Sequence, residues 1–215
     1  MVSAPPIQDV IRLMMVEDHP AFRQALELLL GRQGCVVVGS AGRAADAFEI
    51  IRERRPDVSV IDVNLPDESG VALAKRLLAD DPELGILLYT GAEDRKTLDE
   101  ALGSGARGFA VKAAPPHELI DAIRIVARGG AYVDPRLRSM LPARATADRV
   151  HILSPREREV FDLLSKGLSG EGAATQLCLS PETVRTHVRN AMQKLEANTR
   201  VHAITIALQQ GEIEL

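Results

Sequence analysis

Four short segments far apart in the chain each close an apolar run with residues suited to handling a phosphoryl group. They are Val16-Glu17-Asp18, Ile61-Asp62-Val63-Asn64, Tyr89-Thr90-Gly91 and Val111-Lys112. Brought together, they supply acids, a hydroxyl and an ammonium. Crowded carboxylates repel one another unless a cation joins them, and Mg2+ prefers a few carboxylates with water and phosphate oxygens. Asp62 heads the set, because it precedes the turn sequence Asn64-Leu65-Pro66-Asp67, with Gly70 just beyond. A carboxylate exposed on such a turn can attack a phosphoryl donor and give an acyl phosphate. Lys112 can neutralise the transferred charge, and Thr90 can donate a hydrogen bond to it. The combination suits holding a divalent cation and a phosphoryl group rather than turning over an organic substrate.

The elements that must position these residues alternate in kind. Ile11–Val16, Cys35–Ser40, Val58–Val63, Ile86–Tyr89 and Gly108–Val111 read as strands. Several are continuous Val/Ile/Leu runs, as expected for strands covered on both faces. Between them, Pro20–Gln33, Ala44–Arg55, Glu68–Ala79 and Pro115–Arg128 repeat apolar residues near the helical period. Five βα units predict a doubly wound, five-stranded parallel sheet of the flavodoxin-like kind. In such a sheet the carboxyl ends of the strands form the ligand-binding edge. All four segments end there.

Gly129-Gly130 closes the last of these helices, since glycine accepts the left-handed C-cap conformation. Residues 129–150 read as a linker, with a possible short helix over Pro135–Leu141. Beyond it every segment looks helical, so the class changes near residue 150. The expected division is 9–128, 129–150 and 151–215. The net charge of −4 hides a gradient. Residues 1–128 carry 15 basic and 20 acidic side chains, while residues 151–215 carry 7 and 8. The C-terminal part is therefore not strongly basic, and nucleic-acid binding there must rest on a few placed cations. No run reaches the ~18 apolar residues of a membrane helix, and the start lacks a secretory leader pattern, so the expected compartment is the cytoplasm. Cys35 and Cys178 are too few for a metal cluster and read as buried or half-buried free thiols.

On these motifs, residues 9 to 128 resemble the receiver domain of bacterial two-component response regulators. The resemblance implies Glu17 and Asp18 as the acid pair, Asp62 as phosphoacceptor, Thr90 as the switch hydroxyl and Lys112 as the phosphate-binding lysine. It further implies that Asn64 offers its backbone carbonyl to Mg2+ (or Mn2+), and that Phe109 is the switch aromatic beside the last strand. Phe109 has no hydroxyl, so a switch there must act through packing.

The C-terminal part carries two helix-start signals. Ser154-Pro155-Arg156-Glu157 is a capping box with proline at the first helical position. Ser180-Pro181-Glu182-Thr183 opens a helix to Leu195 whose Val184, Val188 and Leu195 share one face, with Arg185, Thr186, Arg189 and Asn190 largely on another. Such a helix suits the major groove. The two segments resemble the LuxR-type helix-turn-helix, and the whole chain resembles a NarL/FixJ-type response regulator. The resemblance implies DNA contacts from Arg185, Thr186 and Arg189, backbone contacts from Ser180 and Thr183, and phosphate neutralisation by Lys194 and Arg200. It implies a sensor histidine kinase, promoter DNA and a second copy of the chain as partners, and no enzymatic role beyond self-phosphorylation and slow self-dephosphorylation.

Gly170-Glu171-Gly172-Ala173-Ala174 departs from the family's usual Asn-Lys-Glu-Ile-Ala, and Cys178 stands where a turn glycine is usual. A looser scaffold helix and weaker non-specific affinity follow, since that affinity depends on phosphate neutralisation. The stripe Val201, Ile204, Ala207 and Leu208 could pair two copies or pack within the domain. Two other readings are an aspartyl phosphatase and an interaction module that has lost DNA. Haloacid-dehalogenase enzymes use Asp-x-Asp, and Asn64 here lacks the second acid's proton shuttle.

Overall fold

The computed structural model describes residues 10–91, 95–138 and 151–213. The strands are β1 Ile11–Val16, β2 Cys35–Ala41, β3 Val58–Asp62, β4 Gly85–Thr90, β5 Gly108–Val111 and β6 Tyr132–Val133. They form one parallel sheet in the order β2-β1-β3-β4-β5-β6. Alternation along each strand divides the core. Leu13, Met15, Val60, Leu87 and Tyr89 face α1 Pro20–Gly31 and α5 Pro116–Ala127. Met14, Val16, Ile61, Leu88 and Phe109 face α2 Ala44–Arg54, α3 Gly70–Asp80 and α4 Arg95–Leu102. The doubly wound class is as expected.

The sheet differs from the expectation in its count. Tyr132-Val133, read as linker, adds a sixth strand beside β5. Two residues are too short to show alternation, so only pairing reveals them. The short helix α6 Pro135–Arg138 follows. Arg136 binds Glu118 of α5 at 2.7 Å and the fully buried Asp134 at 3.2 Å, fastening this stretch to the sheet. The expected helix over Pro135–Leu141 is thus seen through Arg138. The rest of the linker, 139–150, lies outside the described residues, as do residues 1–9 with the chain start.

Among the described residues four helices follow: α7 Pro155–Ser165, α8 Gly170–Gln176, α9 Pro181–Lys194 and α10 Arg200–Gln209. Each begins on a hydroxyl cap, with Ser154, Ser169, Ser180 and Thr199 accepting from an N–H three residues on. Ser154 and Glu157 form the full capping box. Because Ser169 is the cap, Gly170 and Gly172 fall in the first turn of α8, where the interior penalty of about 1 kcal/mol per glycine does not apply in full. Cys178 sits at φ 54° in the turn between α8 and α9, and it is exposed rather than buried. The left-handed corner turns its side chain outward, which corrects the expected burial.

Val201, Ile204 and Ala207 of α10 are buried within the chain, and α10 touches α7, α9 and β6. The apolar cluster under α2, α3 and α4 runs without a break into these helices. Among the described residues, polar contacts also join the domains. Thr199 Oγ1 donates to the carbonyl of Leu102 at the end of α4 (2.7 Å), and Arg200 donates to the carbonyl of Gly129 (2.6 Å).

Candidate phosphoacceptor site and DNA-facing helix

Parallel register puts the four chemical residues on one line. Val16 lies opposite Ile61, Asp62 opposite Tyr89, and Thr90 opposite Val111. Glu17, Asp62, Thr90 and Lys112 therefore stand at the same edge of the sheet, each at a strand end or one residue past it. The Lys112 backbone N–H donates to the Thr90 carbonyl at 2.7 Å, fixing the top of β5 against β4.

The Lys112 ammonium sits between two buried carboxylates, 2.7 Å from Glu17 Oε2 and 2.8 Å from Asp62 Oδ2. The second Asp62 oxygen accepts from the Asn64 N–H at 3.1 Å. Burial pushes the Asp62 carboxyl up, against the pull of Lys112 and the Asn64 N–H. Burial alone would lower Lys112, but its bonds to Asp62 and Glu17 outweigh this and raise it, so it stays an ammonium. One glutamate and one aspartate thus share one cation, which leaves the pocket short of positive charge.

The loop after β3 needs glycine at 70. A Cβ there would lie 2.0 Å from the Asp62 carbonyl oxygen, and the Gly70 N–H donates to the Val63 carbonyl at 2.9 Å. Asp67, further along the loop, caps α2 by accepting from the N–H groups of Ala44 (2.9 Å) and Ala45 (3.1 Å), which hold its carboxyl below the ordinary range.

Donor chemistry tests the fit to a divalent cation. Single ligand atoms of Glu17, Asp18 and His19 lie within 4.8 Å of one another. Asp18 and Asn64 line one cleft of about 410 Å³, and Asp18 keeps 30% of its side chain exposed, so water can complete a coordination shell. The two carboxylates of that group are hard oxygen donors of the kind Mg2+ or Mn2+ takes.

Phe109 is 2% exposed, inside the core beneath the sheet edge. Two neighbours escaped the sequence reading. Phe22 of α1 stacks on Tyr89 (centroids 6.2 Å apart, 11° between planes), and the Lys112 ammonium lies 5.3 Å from its ring centroid. Phe22 falls within the apolar repeat of Pro20–Gln33. The second is His19, whose Nδ1 is 2.8 Å from Asp18 and 3.2 Å from Glu17; hydrogen bonds to Glu17 and Asp18 raise its pKa. Adjacency to the acid pair was the available signal. Tyr89 is pushed up to about 12 by burial and the Glu17 charge.

On α9, Arg185 and Arg189 are exposed. Thr186 is half-buried and donates to the Glu182 carbonyl at 3.0 Å, while the Ser180 and Thr183 hydroxyls bond each other at 2.8 Å at the helix start. Lys194 points elsewhere, 2.7 Å from the buried Glu157. Arg200 is turned into the contact between domains.

Residues 13–124 match the response regulator receiver domain family, and residues 151–207 match the bacterial regulatory proteins of the luxR family. The oxygen regulatory protein NreC of Staphylococcus carnosus (strain TM300) is 31% identical over 212 residues, 93% of this chain and 98% of that protein. The chain belongs to the LuxR-family response regulators.

Among solved structures, the response regulator ChrA of a heme-sensing two-component system is 32% identical, with a TM-score of 0.54 over 94% of this chain and 98% of that one. A LuxR-family regulator from Aurantimonas sp. SI85-9A1 is 30% identical, with a TM-score of 0.59 over 61% of this chain. A further relative, the transcriptional regulatory protein DegU of Brevibacillus brevis, is 27% identical over 97% of the chain. As a response regulator of this family, the protein is a DNA-binding transcription regulator controlled by phosphorylation, not a metabolic enzyme. Among the described residues no helix is long and apolar enough to cross a membrane.

Proposed function

We propose that Asp62 accepts a phosphoryl group from a sensor histidine kinase and that this controls dimerisation and promoter binding in the cytoplasm. The observation that carries the assignment is the Lys112 ammonium 2.8 Å from Asp62 Oδ2 and 2.7 Å from Glu17 Oε2. It lies where added phosphoryl charge gains most from it, in a pocket whose low exposure strengthens the attraction. Glu17, Asp18, Asp62 and the Asn64 carbonyl are the residues to hold Mg2+ or Mn2+, which supplies charge neutralisation for phosphoryl transfer. The phosphoryl group brings nearly two negative charges at neutral pH. Thr90, at the same strand-end line, donates to it, and Phe109 repacks behind.

The route to DNA follows from the contacts of α4. Thr90 precedes α4, and the Leu102 carbonyl that ends α4 accepts from Thr199. A shift after Thr90 therefore reaches α10 through one helix. We assign the receiver to 9–128 together with β6 and α6, which join its sheet, the remainder of 129–150 to the linker and 151–215 to the DNA reader. Arg185, Thr186 and Arg189 read the groove, with Ser180 and Thr183 against the backbone. Lys194 and Arg200 reach phosphates only once their bonds to Glu157 and Gly129 exchange.

The test is incubation with acetyl phosphate and Mg2+, with the aspartyl phosphate read on a phosphate-affinity gel. Asp62→Asn abolishes labelling; persistent labelling rejects the assignment. Arg185→Ala and Arg189→Ala weaken a promoter gel shift while far-UV circular dichroism is retained. Unchanged binding moves the DNA contact off α9.

A further inference from the structure

The glycines that open α8 are unused by the function above. A Cβ at Gly170 would meet nothing within 4 Å, so crowding does not require glycine there. What the missing side chain leaves open is the junction of two adjoining clefts, both lined by Gly170, Arg185 and Arg200. The first, about 470 Å³, lies between the domains. Arg107 and Arg128 come from one side and Arg185 and Arg200 from the other, with Glu83 and Glu171 as the acids. The second, about 410 Å³, is apolar, with Val184, Val188, Met192 and Ala197 in its wall. Volumes of this size suit small ligands.

The charges in the first cleft do not balance. Four arginines face two glutamates, and Glu83 is already bound by Arg107 at 2.7 Å. Arg185 meets Glu182 at 3.5 Å with both side chains more than 70% exposed, a pair that solvent weakens. Among the described residues no carboxylate lies within ion-pair distance of Arg200, which donates to the neutral Gly129 carbonyl. Burial, and then the nearby Arg107 charge, lower its pKa and outweigh the opposing pull of the Glu83 charge.

We propose that the two clefts form one site for a small amphipathic anion. Its dianionic head sits among Arg107, Arg185 and Arg200, and its compact apolar body lies against Val184, Val188 and Met192. Guanidinium groups match the planar oxygens of phosphate and carboxylate. A ligand so placed is held by both domains at once and occupies Arg185. It is an effector site separate from the acidic pocket, and it opens where Gly170 carries no side chain.

Titration calorimetry of the full chain with naphthyl phosphate, without divalent cations and at physiological salt, tests this. Inorganic phosphate supplies the head alone, and naphthol the body alone. Naphthyl phosphate binds about tenfold or more tighter than either, and comparison with naphthoate tells a phosphate head from a carboxylate one. Gly170→Leu fills the junction from a position facing open space, so the fold is retained. It and Arg185→Ala each weaken binding by about tenfold, while Asp62→Asn leaves it unchanged. Equal affinity for phosphate and naphthyl phosphate overturns the proposal. So does indifference to both variants, or loss of binding in Asp62→Asn, which moves the anion to the acidic pocket.

Discussion

Replacing Lys112 with Met keeps the apolar stem and removes the one cation shared by Glu17 and Asp62. Its separations from them are 2.7 and 2.8 Å, and the two carboxylates are 1% and 3% exposed. At an effective dielectric of about 20, a unit pair at this range is worth roughly 6 kcal/mol, so the two sum to roughly 12 kcal/mol gross. Desolvation and the repulsion between Glu17 and Asp62 offset most of that. Removing one partner of a buried pair costs about 3–5 kcal/mol net. Because the Lys112 side chain is 22% exposed, the lower end applies, about 3 kcal/mol. The pH dependence follows in sign. Without Lys112 only the Asn64 N–H opposes the burial that already pushes Asp62 up, so the folded-state value of Asp62 rises further above the unfolded one. Stability is then kept at acid pH and lost as pH rises through the folded value. Urea unfolding of the full chain at neutral pH and at about pH 5 should show the deficit shrinking on acidification. Adding Asp62→Asn should recover part of it, since only Glu17 is then a buried carboxylate deprived of the ammonium. A deficit under about 1 kcal/mol at neutral pH, or one equal at both pH values, refutes the shared-cation reasoning.

Gly70→Ala forces a Cβ to 2.0 Å from the Asp62 carbonyl oxygen, so the loop must move. Stability should fall by about 2 kcal/mol and acetyl-phosphate labelling should slow; normal rates mean the loop yields freely. Thr199→Val removes both the bond to Leu102 and the cap of α10, each worth about 1 kcal/mol. Small-angle scattering should report a larger radius of gyration, with Thr199→Ser unchanged. In the C-terminal domain, burial of Glu157 is outweighed by its bonds to Lys194 and Ser154, which hold its carboxyl below the ordinary value. That stability is present above the unfolded pKa and lost as pH falls through the folded one. The gap between wild type and Lys194→Met should therefore be widest at neutral pH and close on acidification, as read by urea unfolding.

Much of this protein was legible in one dimension. Continuous apolar runs mark strands covered on both faces and a period near 3.6 marks helices, so β1 and β5 appear with their observed bounds, and the starts of α7 and α9 follow from the local caps Ser154 and Ser180. α4 was not delimited by the sequence reading. Parallel topology alone then sends Glu17, Asp62, Thr90 and Lys112 to one edge. What pattern could not supply was the partner of each long or edge-placed side chain. Lys112 bridging Glu17 and Asp62, Phe22 stacked on Tyr89, Lys194 spent on Glu157 and Arg200 turned onto Gly129 all join residues dozens of positions apart. The strand Tyr132-Val133 is too short to have a period, and the outward Cys178 depends on one backbone angle. Periodicity is a property of a single element against an averaged interior. Pairing is a property of two elements, fixed only when the sheet closes and the helices dock.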